Sequence, residues 1–350
     1  MRSKGLRRWM AGAAVGVAGA MMLAACGSSG AGTSASPSSS AAASSATPEK
    51  TLQIAYLSFA VANSYDAPML AAAQAVAAEN NAKLTVFDAN NDPKTQFSQM
   101  QNVITSGKYD GIIVQPILAT GLTDLVQQAV AAGIKVVNID QTMGPSYDTF
   151  QPQVDGLSAN VTFVASDIGT KLGQLTVQYC QEQNLNPCNV GYMYDIKASS
   201  LDVAIRDAFD KAVAGSPVAV VAEGEDYFTP AYGVKATENM LQAHKDIKVI
   251  VASDQGMEGA TQAFAANKTT GVMMIGFGGS AAGLSYVKAG TAYATVYQAP
   301  ASEGQLGVKA LIDALRNGTD GGGIDPLAGL PDNGIVTQAN VDQFTAEWPG

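Results

Sequence analysis

The chain has 350 residues, of which 47% are hydrophobic and only 14% are charged, a composition typical of a globular α/β protein and not of a disordered one. A chain of this length can bury a large core and suggests two lobes. The net charge of −10, without a basic stripe, argues against nucleic acid as a partner and against electrostatic binding to anionic lipid.

The amino terminus carries the features of an export signal. A basic start and a short apolar stretch lead to Leu-Ala-Ala-Cys at residues 23–26. This ending resembles the lipobox of bacterial lipoproteins, which implies removal of residues 1–25 as a signal peptide and a lipid on Cys26. An ordinary signal peptide with an incidental cysteine is the alternative, and Sec or Tat export stays open. Residues 26–50 are rich in Ser, Ala, Gly, Thr and Pro and predict a flexible tether to the membrane.

Apolar strand patterns alternate with helix patterns in the next part of the chain. The predicted strands are 52–57, 83–87, 111–114 and 135–139, and the predicted helices are 67–80, 95–106 and 120–132. A polar and aromatic segment, residues 59–66, follows the first strand, and ligands bind at such carboxyl ends of strands in parallel α/β sheets. Asp66 is placed to cap the helix after this segment.

A second alternating series begins near residue 168. The predicted strands are 190–194, 218–222, 248–252, 272–275 and 293–297, and the predicted helices are 168–181, 201–214, 230–244, 256–267, 280–289 and 302–317. Strands that alternate with helices of this length imply parallel sheets with right-handed crossovers. Two such series imply two similar lobes, with a ligand site in the cleft between them.

Cys180 and Cys188 are the other two cysteines, and their spacing spans the end of a predicted helix and the start of the next strand. Exported proteins meet an oxidising environment, so a disulfide between them is expected, and it would add about 2.5 kcal/mol of stability in the chain-entropy model. A metal site is the alternative, but the only histidine, His244, is far away in sequence.

Cofactor and enzyme signatures are missing from the sequence. No Gly-x-Gly-x-x-Gly and no Gly-Lys-Ser/Thr loop follows a predicted strand, and the glycines at 276–279 predict a tight turn. An enzyme would need a nucleophile with a base or a metal cluster, and His244 stands alone near the end of a predicted helix. The sequence therefore predicts a protein that uses no cofactor and is not an enzyme.

Taken in order, several segments resemble the type I periplasmic solute-binding proteins of ABC transporters, in the ribose-binding-like branch. The segments that carry the resemblance are 54–66, 86–93, 111–116, 132–140, 275–279, 294–300 and 335–341. The resemblance implies two Rossmann-like α/β lobes with parallel sheets, joined by a three-segment hinge and closing on a small ligand. The implied lobes are residues 51–165 with 299–330, and residues 166–298 with 331–347.

The resemblance also implies binding residues. Asn63 and Tyr65 match an asparagine and an aromatic residue that hold the sugar in the family. Asp140 keeps the family's hydroxyl-accepting carboxylate, and Gln298 matches the hinge glutamine. Phe228 falls on an aromatic position suited to the apolar face of a ring.

Other candidate binding residues depart from the family pattern, and two of them have a second interpretation as helix caps. Asp66 replaces a second aromatic residue and is either a ligand contact or a helix cap, and Phe59 stands where a small polar residue often sits. Gln141 replaces an arginine. Ser253 and Asp254 stand where the family has an Asn-Asp pair, but Asp254 could instead cap the next helix.

The departures from the family pattern bear on the charge of the ligand. Ile205 occupies the position of a second-lobe arginine, with Arg206 one residue late, and Gly278 replaces an acid. Without the family's two arginines, the site lacks the usual clamp for carboxylate and phosphate. The sequence therefore predicts a neutral, hydroxyl-rich ligand.

The sequence thus predicts a monomeric, lipid-anchored extracytoplasmic protein that captures a neutral sugar or polyol. The resemblance implies an ABC permease and its ATPase as partners. Two alternatives remain: a non-transport sensor of the same fold, or a binder of a nucleoside or small signal molecule.

Overall fold

The computed structural model describes residues 50–350, and residues Pro48–Gly350 form one compact unit. The predicted signal peptide at 1–25, Cys26 with its predicted lipid and the predicted tether up to residue 49 lie outside the described residues. Within residues 50–350, no helix is both long enough and apolar enough to cross a membrane.

Strands and helices alternate along the described chain. The strands are β1 (Leu52–Ser58), β2 (Ala82–Asp88), β3 (Gly111–Val114), β4 (Lys135–Asp140), β5 (Ala159–Thr162), β6 (Cys188–Tyr194), β7 (Val218–Glu225), β8 (Val249–Ser253), β9 (Met273–Gly278), β10 (Ala292–Tyr297), β11 (Gly322–Ile324) and β12 (Ile335–Thr337). The helices are α1 (Asp66–Glu79), α2 (Pro93–Ser106), α3 (Thr123–Ala131), α4 (Ala165–Glu182), α5 (Ser200–Val213), α6 (Pro230–Ala243), α7 (Asp254–Asn267), α8 (Ala281–Ala289) and α9 (Pro300–Asn317). The two series of predicted elements are all present, and β5 and β11 were not predicted because neither is a continuous apolar run.

The strands form two six-stranded sheets, one in each lobe. The first has the order β11-β5-β4-β3-β1-β2 and is parallel throughout. The second has the order β12-β10-β9-β8-β6-β7 and is parallel except for β12, which pairs antiparallel with β10. The central strands are almost fully buried, as expected for parallel sheets covered by helices on both faces. The predicted fold class, two α/β lobes with parallel sheets, is confirmed.

The chain passes three times between the lobes, after β5, after β10 and after β11. Helix α9 returns to the first lobe, where Gly304 brings it against α1 so closely that a Cβ atom would lie 2.1 Å from the Met69 carbonyl oxygen. Gly169 gives α4 the same close approach to α5 in the second lobe. Close helix packing on each sheet holds the carboxyl ends of the strands, and the loops that follow them, in place.

The predicted disulfide is present. Cys180 near the end of α4 and Cys188 at the start of β6 are bonded, with Cα atoms 5.9 Å apart. Both cysteines are fully buried in the core of the second lobe.

Candidate functional site

A cavity lies between the two lobes, at the carboxyl ends of both sheets. It encloses about 560 Å³ of empty space, a volume that includes open solvent at its mouth. The residues that line it are Phe59, Asn63, Tyr65, Asp66, Gln115, Asp140, Gln141, Phe163, Asp195, Leu201, Ile205, Phe228, Ser253, Gln255, Phe277, Gln298 and Trp348.

Nine of the ten predicted ligand-binding residues line this cavity, and Asp254 does not. Asp254 is fully buried in the second lobe, where its carboxylate accepts hydrogen bonds from the Ser280 amide (2.6 Å) and the Thr295 hydroxyl (3.0 Å). It is not the helix cap either, because Ser253 caps α7 by accepting a bond from the Gly256 amide. The structure therefore places Asp254 away from the cavity, with both carboxylate oxygens hydrogen-bonded inside one lobe, which does not support its predicted contact with a ligand.

Asp66 does not have one of its two predicted roles, that of a helix cap. It is the first residue of α1, and no side chain caps this helix. The carboxylate instead accepts a bond from the Gln115 side chain and lines the cavity, 5% exposed. The segment before it turns sharply because the Asn63 side chain accepts a bond from the Tyr65 amide (2.8 Å), a local turn that asparagine favours.

Gln115 organises the first-lobe side of the cavity. Its Nε2 donates to Asp66 and to Asp140 (2.9 Å), and its Oε1 accepts from the Phe59 amide (3.1 Å). One amide group therefore positions two carboxyls and the loop after β1. Burial raises the pKa of both carboxyls, to about 7 for Asp140, although the bonds from Gln115 act in the opposite direction.

Asp140 has an unusual backbone at the end of β4. Its φ is +64°, a left-handed conformation that aspartate and asparagine tolerate better than other residues with side chains. Its carbonyl accepts a bond from the Thr162 hydroxyl of β5. This conformation ends the strand and leaves the carboxyl at the edge of the sheet, facing the cavity.

A turn at the end of β7 positions the second-lobe aromatic wall. Tyr227 and Phe228 both have positive φ (52° and 55°), which costs energy for bulky side chains. The Asp226 carboxylate holds this turn by accepting from the Phe228 amide (2.8 Å), and also accepts from the Ser253 hydroxyl (3.1 Å). The strained turn places the Phe228 side chain in the lining of the cavity.

Asp195 is an acidic residue of the cavity that the sequence analysis did not identify. It follows β6 directly and is 1% exposed. Burial raises its pKa well above the usual aspartate value, and the neighbouring carboxyls of Asp226 and Asp202 raise it further. Its Oδ1 has no hydrogen-bond partner among the described residues.

The two lobes touch each other around the cavity. Phe59 of the first lobe meets Phe228 of the second edge to face, with ring centroids 6.3 Å apart. The Gln255 side chain at the start of α7 donates to the Ser64 hydroxyl of the first lobe (3.3 Å). Because the two lobes are in contact across the cavity, the cleft between them is closed.

The carboxyl-terminal segment supplies an aromatic wall that lies outside the predicted lobes. The Trp348 Nε1–H donates to the Gly278 carbonyl (2.8 Å), and the ring meets Tyr65 at 5.3 Å. Gly278 leaves room for this ring, because a Cβ atom there would lie 2.7 Å from it. The neighbouring Glu347 accepts from the amide and hydroxyl of Ser302 in α9, so this segment contacts both lobes.

Glu303 is a second acidic residue that the sequence analysis missed. It lies on α9 behind Tyr65, whose hydroxyl donates to it (3.3 Å), and it is fully buried. Burial, and after it the charge of Asp140, raise its pKa well above the usual glutamate value.

Several of the missed residues could have been predicted because ligands bind at the carboxyl ends of parallel strands. Gln115 and Asp195 directly follow β3 and β6, at the carboxyl ends of parallel strands. Phe163, Gln255 and Phe277 also lie at or just beyond the carboxyl ends of strands β5, β8 and β9. Leu201 and Trp348 had no comparable signal, and Ile205 was noted only as the replacement of an arginine.

The charged groups around the cavity are all acidic. Among the residues that the structure describes, none that line it is Lys, Arg or His. Arg206 bonds to Asp210 (2.8 Å) and Glu223 (2.6 Å), while its neighbour Ile205 lines the cavity. Within residues 50–350, no group of three or more His, Cys, Asp or Glu side chains is arranged to hold a metal ion.

Comparisons with known proteins agree with this architecture. A family model described as "Periplasmic binding protein domain" matches residues 54–320. The chain is 28% identical over 236 residues to the ribose import binding protein of Bacillus subtilis, covering 67% of this chain and 72% of that protein. It is 28% identical over 266 residues to a xylitol-binding protein of Mycolicibacterium smegmatis, covering 75% and 71%.

Solved structures show the same fold. An ABC transporter solute-binding protein from Bacillus halodurans with bound myo-inositol aligns with a TM-score of 0.71 at 24% identity, covering 86% of this chain and all of that one. The myo-inositol binding protein of Caulobacter aligns with a TM-score of 0.72 at 19% identity, covering 84% and 96%. At these identities the structural likeness speaks for the fold alone. Together with the family match over most of the chain, it means that this chain belongs to the periplasmic binding protein family.

Proposed function

We propose that this protein is an extracytoplasmic solute-binding protein that captures a sugar or polyol between its lobes and delivers it to an ABC permease, without catalysis. The observation that carries the proposal is the cavity itself: hydrogen-bonding groups from both lobes and aromatic side chains enclose one small-molecule space. Relatives whose names specify ribose, D-allose and xylitol support the ligand class.

Hydroxyl groups of the ligand would be held by side chains that can both donate and accept. Asn63, Gln141, Gln255 and Gln298 offer amides, and Asp140 offers a carboxyl that takes up to two hydroxyl hydrogens. A buried hydroxyl without a partner costs about 1–3 kcal/mol, so such a site discriminates between epimers.

Aromatic rings would cover the carbon faces of the ligand. Phe59 and Phe228 come from opposite lobes and meet across the cavity, as do Tyr65 and Trp348. Closure of the lobes would therefore complete these walls around a bound ligand, and opening would separate them. This coupling of binding to closure is what presents a loaded protein to a permease.

The absence of basic residues from the described lining supports a ligand without an anionic group. Bidentate arginine is the common clamp for carboxylate and phosphate, and this site has none. The argument excludes anionic ligands, and the neutral ligand predicted from the sequence is one of the classes that it leaves. We also propose that a lipid on Cys26 holds a monomeric protein on the outer side of the membrane.

A thermal-shift screen tests the proposal. The chain from Pro48 onward is mixed with D-ribose, D-allose, xylitol, myo-inositol, nucleosides, amino acids and sugar acids. A ligand at a thousandfold excess over its Kd stabilises the native state by about 4 kcal/mol, a clear rise in Tm. A response to a sugar or polyol that Asp140→Ala abolishes supports the proposal. A response to nucleosides or sugar acids only would refute the ligand class.

A further inference from the structure

The cavity contains more acidic groups than hydroxyl recognition needs. Asp66 and Asp140 line it from the first lobe and Asp195 from the second. Asp226 and Glu303 lie directly behind the wall, each hydrogen-bonded to a side chain of the lining. All five carboxyls are at most 5% exposed.

Two oxygens of these carboxyls lack a donor within the described part of the chain. They are Oδ1 of Asp195 and Oε2 of Glu303, both buried. The carboxyl of Asp195 as a whole does have neighbours, because the Asp226 carboxyl and the Ser253 hydroxyl are within hydrogen-bonding range of it. A buried carboxylate without a partner is costly because water no longer solvates it. Since Asp195 lines the cavity, a donor placed in the cavity is within its reach.

The basic residues of the described chain do not neutralise the carboxyls of the cavity. None of the ion pairs within residues 50–350 includes a carboxyl of the cavity. Arg206 is the basic residue next to the lining in sequence, but its guanidinium pairs with Glu223 and Asp210 and stacks over Tyr192 at 4.8 Å. The counter-charge for the cavity must therefore be a proton or part of the ligand.

The aromatic lining suits a positive charge as well as a sugar face. The rings of the cavity belong to Phe59, Tyr65, Phe163, Phe228, Phe277 and Trp348. An ammonium over the face of an aromatic ring is attracted by the ring's electron distribution, more strongly when water is excluded. Rings and carboxyls together form a surrounding that favours a cation.

We propose that the preferred ligand is an amine-bearing sugar or polyol, whose ammonium lies among the carboxyls of Asp66, Asp140 and Asp195. The inference rests on the proposed function and narrows its ligand class. The lack of arginine excludes anionic ligands but does not distinguish neutral from cationic ones. The excess of carboxyls makes that distinction, because it favours a cationic ligand. An ammonium brings one positive charge and N–H donors to the carboxyls. A neutral polyol instead leaves them dependent on protons.

Matched pairs of probes test this inference on the unmodified chain from Pro48 onward. D-glucamine is compared with D-glucitol, and D-glucosamine with D-glucose, by titration calorimetry near neutral pH. Each pair differs by one amine in place of one hydroxyl. We expect the better-fitting amine to bind roughly tenfold tighter or more than its partner, a difference of about 1.4 kcal/mol. Repeating the titration in buffers of different ionisation enthalpy should show proton release with the amine and none with the hydroxyl compound.

Asp195→Asn separates charge from shape, because asparagine keeps the size and loses the charge. It should remove most of the preference for the amine and the proton release. Asp207→Asn, an exposed change on α5, is the matched control and should keep both. The wild-type comparison decides the question even if Asp195→Asn does not fold.

The outcomes distinguish this inference from the proposed function. Equal or tighter binding of the hydroxyl partner in both pairs, or no binding of any amine, overturns the inference. Binding of neutral sugars or polyols in that case leaves the proposed function standing. Binding of putrescine, a diamine without hydroxyls, with no response to any sugar or polyol, would refute the sugar class and keep the preference for a cation.

Discussion

Replacing Asp140 by asparagine should change how the stability of the ligand-free protein depends on pH. Burial raises the pKa of Asp140 from 3.8 to about 7, and the carboxyls of Asp66 and Glu303 and the hydroxyls of Tyr56 and Tyr65 surround it. Because the folded pKa is raised, the stability contributed by the protonated group is complete below the unfolded pKa. It is lost as the pH rises through about 7.

The magnitude follows from this pKa. Between the pKa of the unfolded state and that of the folded state, the free energy of unfolding falls by about 1.4 kcal/mol for each rise of one pH unit. From pH about 5 to pH about 8 the wild type should lose about 3 kcal/mol through Asp140 alone. For a unit of about 300 residues this is a fall in Tm of about 5 °C. Asparagine cannot ionise and tolerates the left-handed backbone at this position, so Asp140→Asn should avoid this loss.

Thermal unfolding of ligand-free protein at several pH values checks the prediction. The advantage of Asp140→Asn over the wild type should grow by about 3 kcal/mol across this range, because only the wild type ionises at this position. Asp207→Asn, exposed on α5, should follow the wild type throughout. Parallel pH profiles for the wild type and Asp140→Asn would refute the reasoning.

Three further predictions concern other parts of the chain. Trp348 is the only tryptophan in residues 50–350, so ligand binding should change tryptophan emission, and Trp348→Ala should weaken binding roughly tenfold, as measured by calorimetry. Unchanged emission at saturation would contradict its place in the wall. Gln115→Leu should lower the free energy of unfolding in denaturant by about 2–3 kcal/mol because three hydrogen bonds are lost at once, whereas the exposed Gln101→Leu should cost little. Replacing Cys180 and Cys188 by serine should lower it by about 2.5 kcal/mol, and a reductant should then no longer affect unfolding.

Much of the fold could be predicted from the sequence because its elements are locally encoded. Buried parallel strands read as short apolar runs, and the helices between them end at glycines such as Gly107 and Gly290. The placement of Asp140, Asn63 and Tyr65 could also be predicted, since Asp140 is the last residue of β4 and the other two lie in the segment between β1 and α1. The strands β5 and β11 were missed because Ala-Asn-Val-Thr and Gly-Gly-Ile are not continuous apolar runs, unlike the equally short β3, Gly-Ile-Ile-Val.

The roles of the aspartates were decided by the tertiary structure. Asp66 and Asp254 look alike in sequence, each at the start of a helix, yet one faces the cavity and the other holds Ser280 and Thr295 inside its lobe. Local sequence determines where a carboxyl stands along the chain. Which donors surround it depends on strands far apart in sequence, here Gln115 for the first and Thr295 for the second. The same holds for Trp348, which enters the site because Gly278, seventy residues earlier, leaves room for its ring.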